Sequence, residues 1–240
     1  MNSPSCIALS GGVGGAKLAV GLDHLFKQRL SIIANIGDDF NHLGLSICPD
    51  IDSLVYALAG LNNDKTGWGR INDTSLFMRA LEGLGGETWF HLGDSDLAMH
   101  VFRTERLNRG ETLTDITESM CQNLRISSMV LPVSDDKVRT FVGTKNQELS
   151  LQEYFVKEKC IPAVTSFRYE GAEKARITST ILSAVRSPQL KSIIICPSNP
   201  FISIDPILAV PGLKKLLKNS GVPIVAVSPI VNGNAFKGPT

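Results

Sequence analysis

The chain has little with which to build a redox, thiolate or nucleophilic centre. Its cysteines, Cys6, Cys48, Cys121, Cys160 and Cys196, are odd in number and widely spaced, and no two form a C-x-x-C pair. A disulfide framework and a thiolate metal site lack their signatures, and buried reduced thiols are expected. The histidines, His24, His42, His91 and His100, stand without the strand-turn-helix elbow that would activate a serine or cysteine, so no hydrolytic triad can be assembled. There is no basic run and no basic stripe interleaved with aromatics, and the 24 Lys and Arg nearly cancel the 23 Asp and Glu. Nucleic acid is thereby excluded as a partner. The N-terminus has no basic flank leading into an apolar stretch and a small-residue cleavage site, and no apolar segment reaches membrane-spanning length. The expected location is the cytoplasm, with no membrane partner.

What is present is material for one large core. With 240 residues, 43% of them hydrophobic and 20% charged, the chain suffices for a single α/β domain over 1–240 that carries an inserted subdomain. Short β-branched runs recur at 7–9, 31–35, 128–133, 192–196 and 223–227. Continuous apolar strands alternating with helical patterns mean a mostly parallel, Rossmann-like sheet with helices on both faces. Helical spacing is seen at Ile51, Leu54, Val55 and Leu58 behind Pro49 and Asp50, and again at Leu76, Phe77, Ala80 and Leu84 behind Asp73 and Thr74. Residues from about 137 to 171 break the rhythm and read as a small inserted α+β segment, with a hairpin around 144–146 and a short helix near 151–158.

A glycine cluster, Ser10-Gly11-Gly12-Val13-Gly14-Gly15-Ala16-Lys17-Leu18, follows the first strand and opens a helical pattern at Leu18, Leu22, Leu25 and Phe26. Glycines let backbone amides approach an anion, and the helix N-terminus adds free N–H groups and a positive dipole end. A phosphorylated ligand is expected there. The two commonest templates are missing: a Walker loop needs Ser or Thr after its lysine, where Leu18 stands. A dinucleotide fingerprint wants a small residue in place of Lys17.

Ligands of open α/β sheets bind outside the carboxyl ends of the strands, and the polar clusters all fall on that rim. They are the glycine loop, Asn35-Ile36-Gly37-Asp38-Asp39, Ser134-Asp135-Asp136, Pro197-Ser198-Asn199-Pro200 and Ser228-Pro229. Asp38, Asp39, Asp50 and Asp52 lie within fifteen residues of one another. Carboxylates without paired lysines repel each other, and a divalent cation is the usual means of holding them together. Mg²⁺ bridging to phosphates is expected, with Asp39 and Asp50 as its ligands; the competing reading is that Asp50 and Asp52 only complement the helix they open. A second acidic cluster, Asp94-Ser95-Asp96, follows Trp89, Phe90 and His91, and Gly67-Trp68-Gly69-Arg70 adds another aromatic and a cation. Aromatic surface beside a phosphate site suits a nucleotide or flavin-like ligand. Phosphoryl transfer asks the protein for positioning and charge stabilisation more than covalent chemistry, and this inventory matches it.

Taken in order, the glycine loop, Asn35-Ile36-Gly37-Asp38-Asp39, Ile47-Cys48-Pro49-Asp50-Ile51-Asp52-Ser53, Trp89-Phe90-His91-Leu92-Gly93-Asp94-Ser95-Asp96, Pro132-Val133-Ser134-Asp135-Asp136 and Cys196-Pro197-Ser198-Asn199-Pro200 resemble the 2-phospho-L-lactate transferase family of coenzyme F-420 biosynthesis from end to end. The resemblance implies a Mg²⁺-dependent homodimer that transfers a phospholactyl or phosphoenolpyruvyl group from a guanosine diphosphate adduct to the deazaflavin Fo, releasing GMP. It places the guanine nucleotide against Gly11, Gly12, Gly14, Gly15, Lys17, Ser198, Asn199 and Pro200. Fo falls against Asp50 and His91, the latter standing where the family commonly carries Lys or Arg. Asp50 would orient or deprotonate the incoming hydroxyl, with Asp94 and Asp96 as further candidates for that base. Asn234 and Lys237 belong to a last motif over 228–239, beyond which relatives continue, so the chain reads as truncated relative to the family. The rival reading is a regulatory nucleotide-sugar or dinucleotide-binding protein resembling the gluconeogenesis-factor family, which shares the glycine loop and needs no acidic reaction centre.

Overall fold

The apolar runs become strands, and the chain alternates them with helices in the order β1 (Cys6–Ser10), α1 (Gly12–Phe26), β2 (Leu30–Ala34), β3 (Phe40–His42), β4 (Leu45–Ile47), α2 (Pro49–Leu58), α3 (Leu76–Gly83), α4 (Asp94–Asn108), α5 (Leu113–Asn123) and β5 (Met129–Pro132). There follow β6 (Arg139–Thr144), β7 (Glu148–Ser150), β8 (Val164–Glu170), α6 (Ser179–Val185), β9 (Ser192–Ile195), α7 (Asp205–Leu208), α8 (Leu213–Lys218), β10 (Ile224–Ala226) and the short pair β11 (Ile230–Val231) and β12 (Asn234–Ala235). A computed structural model describes residues 3–63 and 65–232 and the backbone of 234–235. Asn234 is therefore placed only as backbone opposite Val231, and Lys237 lies outside the described residues.

The central sheet has the order β10-β9-β1-β2-β5, and every neighbouring pair is parallel. β1 and β2 are buried along their whole length, as strands covered on both faces must be. From β1 the chain steps outward to β2 and β5, then returns to the other side of β1 for β9 and β10. Right-handed crossovers running in opposite directions put their helices on opposite faces. The reversal also sets a topological switch point between β1 and β9, and ligands of such sheets bind in the crevice above it. Among the described residues no helix is long and apolar enough to cross a membrane.

Two local features differ from the sequence expectation. β3 and β4 form an antiparallel hairpin that the strand pattern did not announce, because its two turn residues are Leu43 and Gly44, both at positive φ (51° and 75°). Leucine is not a residue that signals such a turn. In α3 the stripe of Leu76, Phe77, Ala80 and Leu84 is not the buried one: Met78 is buried, while Leu76 and Leu84 are exposed. The helix turns Phe77, Met78 and Leu81 toward Ile47 and Leu92, a separate small core beneath the hairpin.

The segment between β5 and α6 builds its own antiparallel sheet, β7-β6-β8, over a cluster of Val142, Leu151 and Tyr154. Two ties hold it to the rim of the main sheet. The Thr140 amide donates to the Gly37 carbonyl (2.7 Å), and the Tyr169 hydroxyl donates to the Phe201 carbonyl (2.5 Å), with the Phe167 and Phe201 rings stacked 5.7 Å apart.

Candidate active site

The glycine loop lies at the switch point. β1 ends at Ser10, Gly11 is extended, and α1 begins at Gly12 with φ +61°, a conformation that favours glycine. The Gly11 amide donates to the Ser198 hydroxyl across the crevice (3.2 Å). Close approach explains Gly14, where a Cβ would run into the Pro197 carbonyl of the loop after β9. Gly15 packs in the same way against the Ser10 and Ser198 hydroxyls. α1 carries no acid in its first turn and no side-chain cap, so its positive dipole end is left for a ligand or a neighbour.

Asp50 is that neighbour. It sits in the first turn of α2, which Pro49 opens at a position where no amide is needed. Its Oδ1 accepts from the Gly12 amide (2.5 Å) and its Oδ2 from Asn35 Nδ2 (2.7 Å). Burial pushes its carboxyl up to about 6 against the lowering effect of those two donors. Asn35 also donates to the Ile202 carbonyl (3.1 Å) and accepts from the Gly37 amide (2.8 Å), so one side chain ties its own loop and the turn after β9 to Asp50. Sequence reasoning gave Asn35 no role, although a polar residue ending an apolar strand was its signal.

The neighbouring acids divide. Asp38 is raised well above the ordinary range by burial and by the Asp50 charge, and its Oδ1 accepts from Gln152 of the inserted segment (2.6 Å). Asp39, expected beside Asp50 on a metal, instead faces Cys48, Asp52, Arg103 and Arg139; burial lifts it to about 7 despite both arginines. Successive residues of the turn meet different surroundings, so it is Asp38, not Asp39, that feels the Asp50 charge. Asp52 pairs with Arg103, a wholly buried arginine of α4 that also donates to the Ser46 carbonyl (3.0 Å). His100 lies 3.6 Å from Asp52 and 3.4 Å from Asp96, and Tyr56 donates to Asp96 (2.5 Å). Burial works against the Asp96 charge, but His100 and Tyr56 hold its carboxyl below the usual range. Asp96 is thus tied into a buried polar chain that reaches back to Asp52. Among the described residues no group of three or more His, Cys, Asp or Glu side chains is placed to hold a metal ion.

Asp94 does a different job. Its oxygens cap α3 by accepting from the Leu76 and Phe77 amides (3.0 and 2.9 Å), and they also accept from the Thr74 hydroxyl. Asp73 reciprocates by accepting from the Ser95 and Asp96 amides of α4 (2.7 and 3.0 Å). His91 is exposed, with Ser75 Oγ at 3.1 Å and the Trp68 ring at 6.1 Å. Lys17 is exposed on α1. Asn199 caps the helical turn that follows it, accepting from the Phe201 amide (3.0 Å), with Pro200 at its start. All five cysteines are free.

The family description 2-phospho-L-lactate transferase CofD matches residues 6–239. The chain belongs to this family. A phosphoenolpyruvate transferase of Streptomyces griseus is 37% identical over 97% of this chain and 74% of its own length. One from Mycobacterium avium is 36% identical over 96% of this chain and 76% of its own. Membership makes the chain a transferase of coenzyme F-420 biosynthesis, of the phospholactate and phosphoenolpyruvate class, and does not favour the regulatory alternative. A crystal structure of a UPF0052-family protein from Bacillus halodurans superposes with a TM-score of 0.64 at 17% identity, covering 94% of this chain and 69% of that one, which speaks for the α/β fold alone.

Proposed function

We propose that this family member moves a phosphoenolpyruvyl or phospholactyl group from a guanosine diphosphate adduct to the terminal ribityl hydroxyl of the deazaflavin Fo and releases GMP. The observation that carries the reading is the placement of Asp50, a buried carboxylate bonded to the first amide of α1 at the switch point. A carboxyl lifted to about 6 is suited to orient a hydroxyl and take its proton near neutral pH. The hydroxyl oxygen bonds to the phosphorus nearest the small acid. The bond from that phosphorus to the bridging oxygen breaks, and GMP leaves with that oxygen. The free amides at the start of α1 face the diphosphate charge, so catalysis rests on placement and electrostatics. Asp94, whose carboxyl its donors Thr74, Phe77 and Leu76 hold below the usual range, is the weaker candidate for the base, and Asp96 serves the network around His100.

Asp38 and Asp50 offer hard oxygens that repel one another, and Mg²⁺ takes one or two carboxylates when phosphates and water fill its remaining positions. Asp50 and the Asp38-Asp39 turn would hold it, and when bound it supplies charge neutralisation at the diphosphate. The nucleotide is assigned to Gly11, Gly12, Gly14, Gly15, Lys17 and the Ser198-Asn199-Pro200 loop, and Fo to Asp50 and His91. The names of the relatives favour the enolpyruvyl group. A cytoplasmic homodimer completes the reading; the edge strand β10, with Ile224 and Val225 exposed, offers apolar surface for the second copy.

Mass spectrometry of the products formed from Fo and the guanosine adducts tests the reaction. The expected result is a phosphodiester-linked Fo product with stoichiometric GMP. Release of GDP would show that the bond to the small acid breaks, and an Fo adduct carrying guanosine would show that the acid or its phosphate leaves in place of GMP; either overturns the scheme.

A further inference from the structure

The loop over 63–70 has no part in the chemistry above, yet it is built to hold one aromatic ring in the open. Gly67 and Gly69 flank Trp68 at φ +80° and +72°. The loop is held by its own bonds: the Thr66 hydroxyl donates to the Trp68 carbonyl (2.7 Å), the Gly67 amide to the Asn63 carbonyl (2.8 Å), and the Ile71 amide to the Leu61 carbonyl (2.8 Å). Trp68 nevertheless keeps 55% of its surface exposed. A ring so large and apolar would stabilise the fold if it were covered.

The ring borders a cleft lined also by Val13, Lys17, Ser53 and Tyr56. Val13 follows the glycine whose amide holds Asp50. Ser53 stands three residues beyond Asp50 on α2, hence on the same helix face. The cleft is therefore the next space along from the Asp50 carboxylate. It lies on the α2 side of α1, whereas the loop carrying Ser198 meets α1 from the β9 side. Arg70 covers one face of Tyr56 at 5.6 Å, and His91 stands edge-on to Trp68.

We propose that Trp68 is the stacking surface for the flat tricyclic ring of the acceptor, and so a residue that selects the acceptor. This rests on the transferase reading, with Asp50 receiving the ribityl hydroxyl of the same molecule. The donor's base is served from the β9 side and does not use Trp68.

Intrinsic fluorescence separates the possibilities, because Trp89 is the only other tryptophan and packs against Phe40 and His42 (centroids 6.2 and 5.1 Å). Titrating Fo into the GDP-saturated chain should quench the emission. Trp68→Phe should lose most of that quench while keeping affinity within about threefold, since a phenyl ring still stacks. Trp68→Ala should raise KM for Fo roughly ten- to hundredfold with kcat little changed. Stabilisation of the fold by GDP should be the same in all three proteins. A quench that survives in Trp68→Phe, or an unchanged KM in Trp68→Ala, overturns the assignment and leaves the transferase reading standing. Loss of GDP stabilisation in Trp68→Ala overturns it by moving the residue to the donor side. A wild-type chain that binds GDP but neither binds nor turns over Fo overturns the acceptor reading, and this assignment with it.

Discussion

Two acidic clusters look alike in the sequence, Asp38-Asp39 with Asp50 and Asp52, and Asp94 with Asp96. In the fold they are opposites. In the first, burial raises all four carboxyls in spite of the donors and arginines beside them. The second is held ionised by donors, Thr74 and two amides for Asp94, His100 and Tyr56 for Asp96. A carboxylate whose donors outweigh its burial is a fastener. One that is desolvated and crowded by its own kind is poised to take a proton or a cation.

The sharpest way to break the first cluster is to remove its counter-charge. Arg103→Met removes the main counter-charge of buried Asp52 and one of the two arginines beside Asp39, and should cost about 3–5 kcal/mol of unfolding free energy in denaturant titration. Adding Asp52→Asn should recover part of that loss. Recovery of nothing would mean that the arginine acts by packing its stem rather than by charge.

Asp50→Asn tests the same cluster by function. Turnover should fall about a hundredfold or more, while stability holds or rises because a buried charge is gone. The pH dependence carries the sign. Asp50 and Asp39, lifted by burial from 3.8 to about 6 and about 7, bind protons more tightly in the folded chain than in the unfolded one. Their contribution to stability is complete below pH 4 and is lost as pH rises through 6 and 7. The melting midpoint of the ligand-free chain should therefore fall between about pH 4 and 7. In Asp50→Asn the fall below pH 6 should be shallower, whereas an identical profile would remove Asp50 from the account.

The smallest effect belongs to the other cluster. Asp94→Asn weakens the cap of α3 and should lower the melting midpoint by roughly 2–4 °C, with kcat within about twofold of wild type. A hundredfold loss of activity in this variant would make Asp94 a participant in the reaction.

The central strands were legible because a strand covered on both faces must be a continuous apolar run, and the rim loops followed from the strands. The place of Asp50 at a helix start was legible for a local reason, the Pro49 before it. Asp94 was not, since the amides it serves lie near Leu76, far away in sequence, and only the meeting of α3 and α4 brings them within reach. α4 itself was hard to read: its buried line runs through Met99, His100 and Arg103, and two of those three look like surface residues in a pattern that scores apolarity. The surroundings of Asp39 were not legible either, because a turn gives adjacent residues different neighbours, which spacing alone does not reveal.

The inserted sheet has one more consequence, for anyone who would treat it as a detachable module. Gln152 binds Asp38, Thr140 binds Gly37, and Tyr169 with Phe167 grips Phe201. Excising residues 137–171 would leave the main sheet its core but strip the outer support from both loops that flank Asp50. The segment is better regarded as a brace that travels with the site: transplanting the glycine loop and its acids into another α/β scaffold would require transplanting this sheet as well.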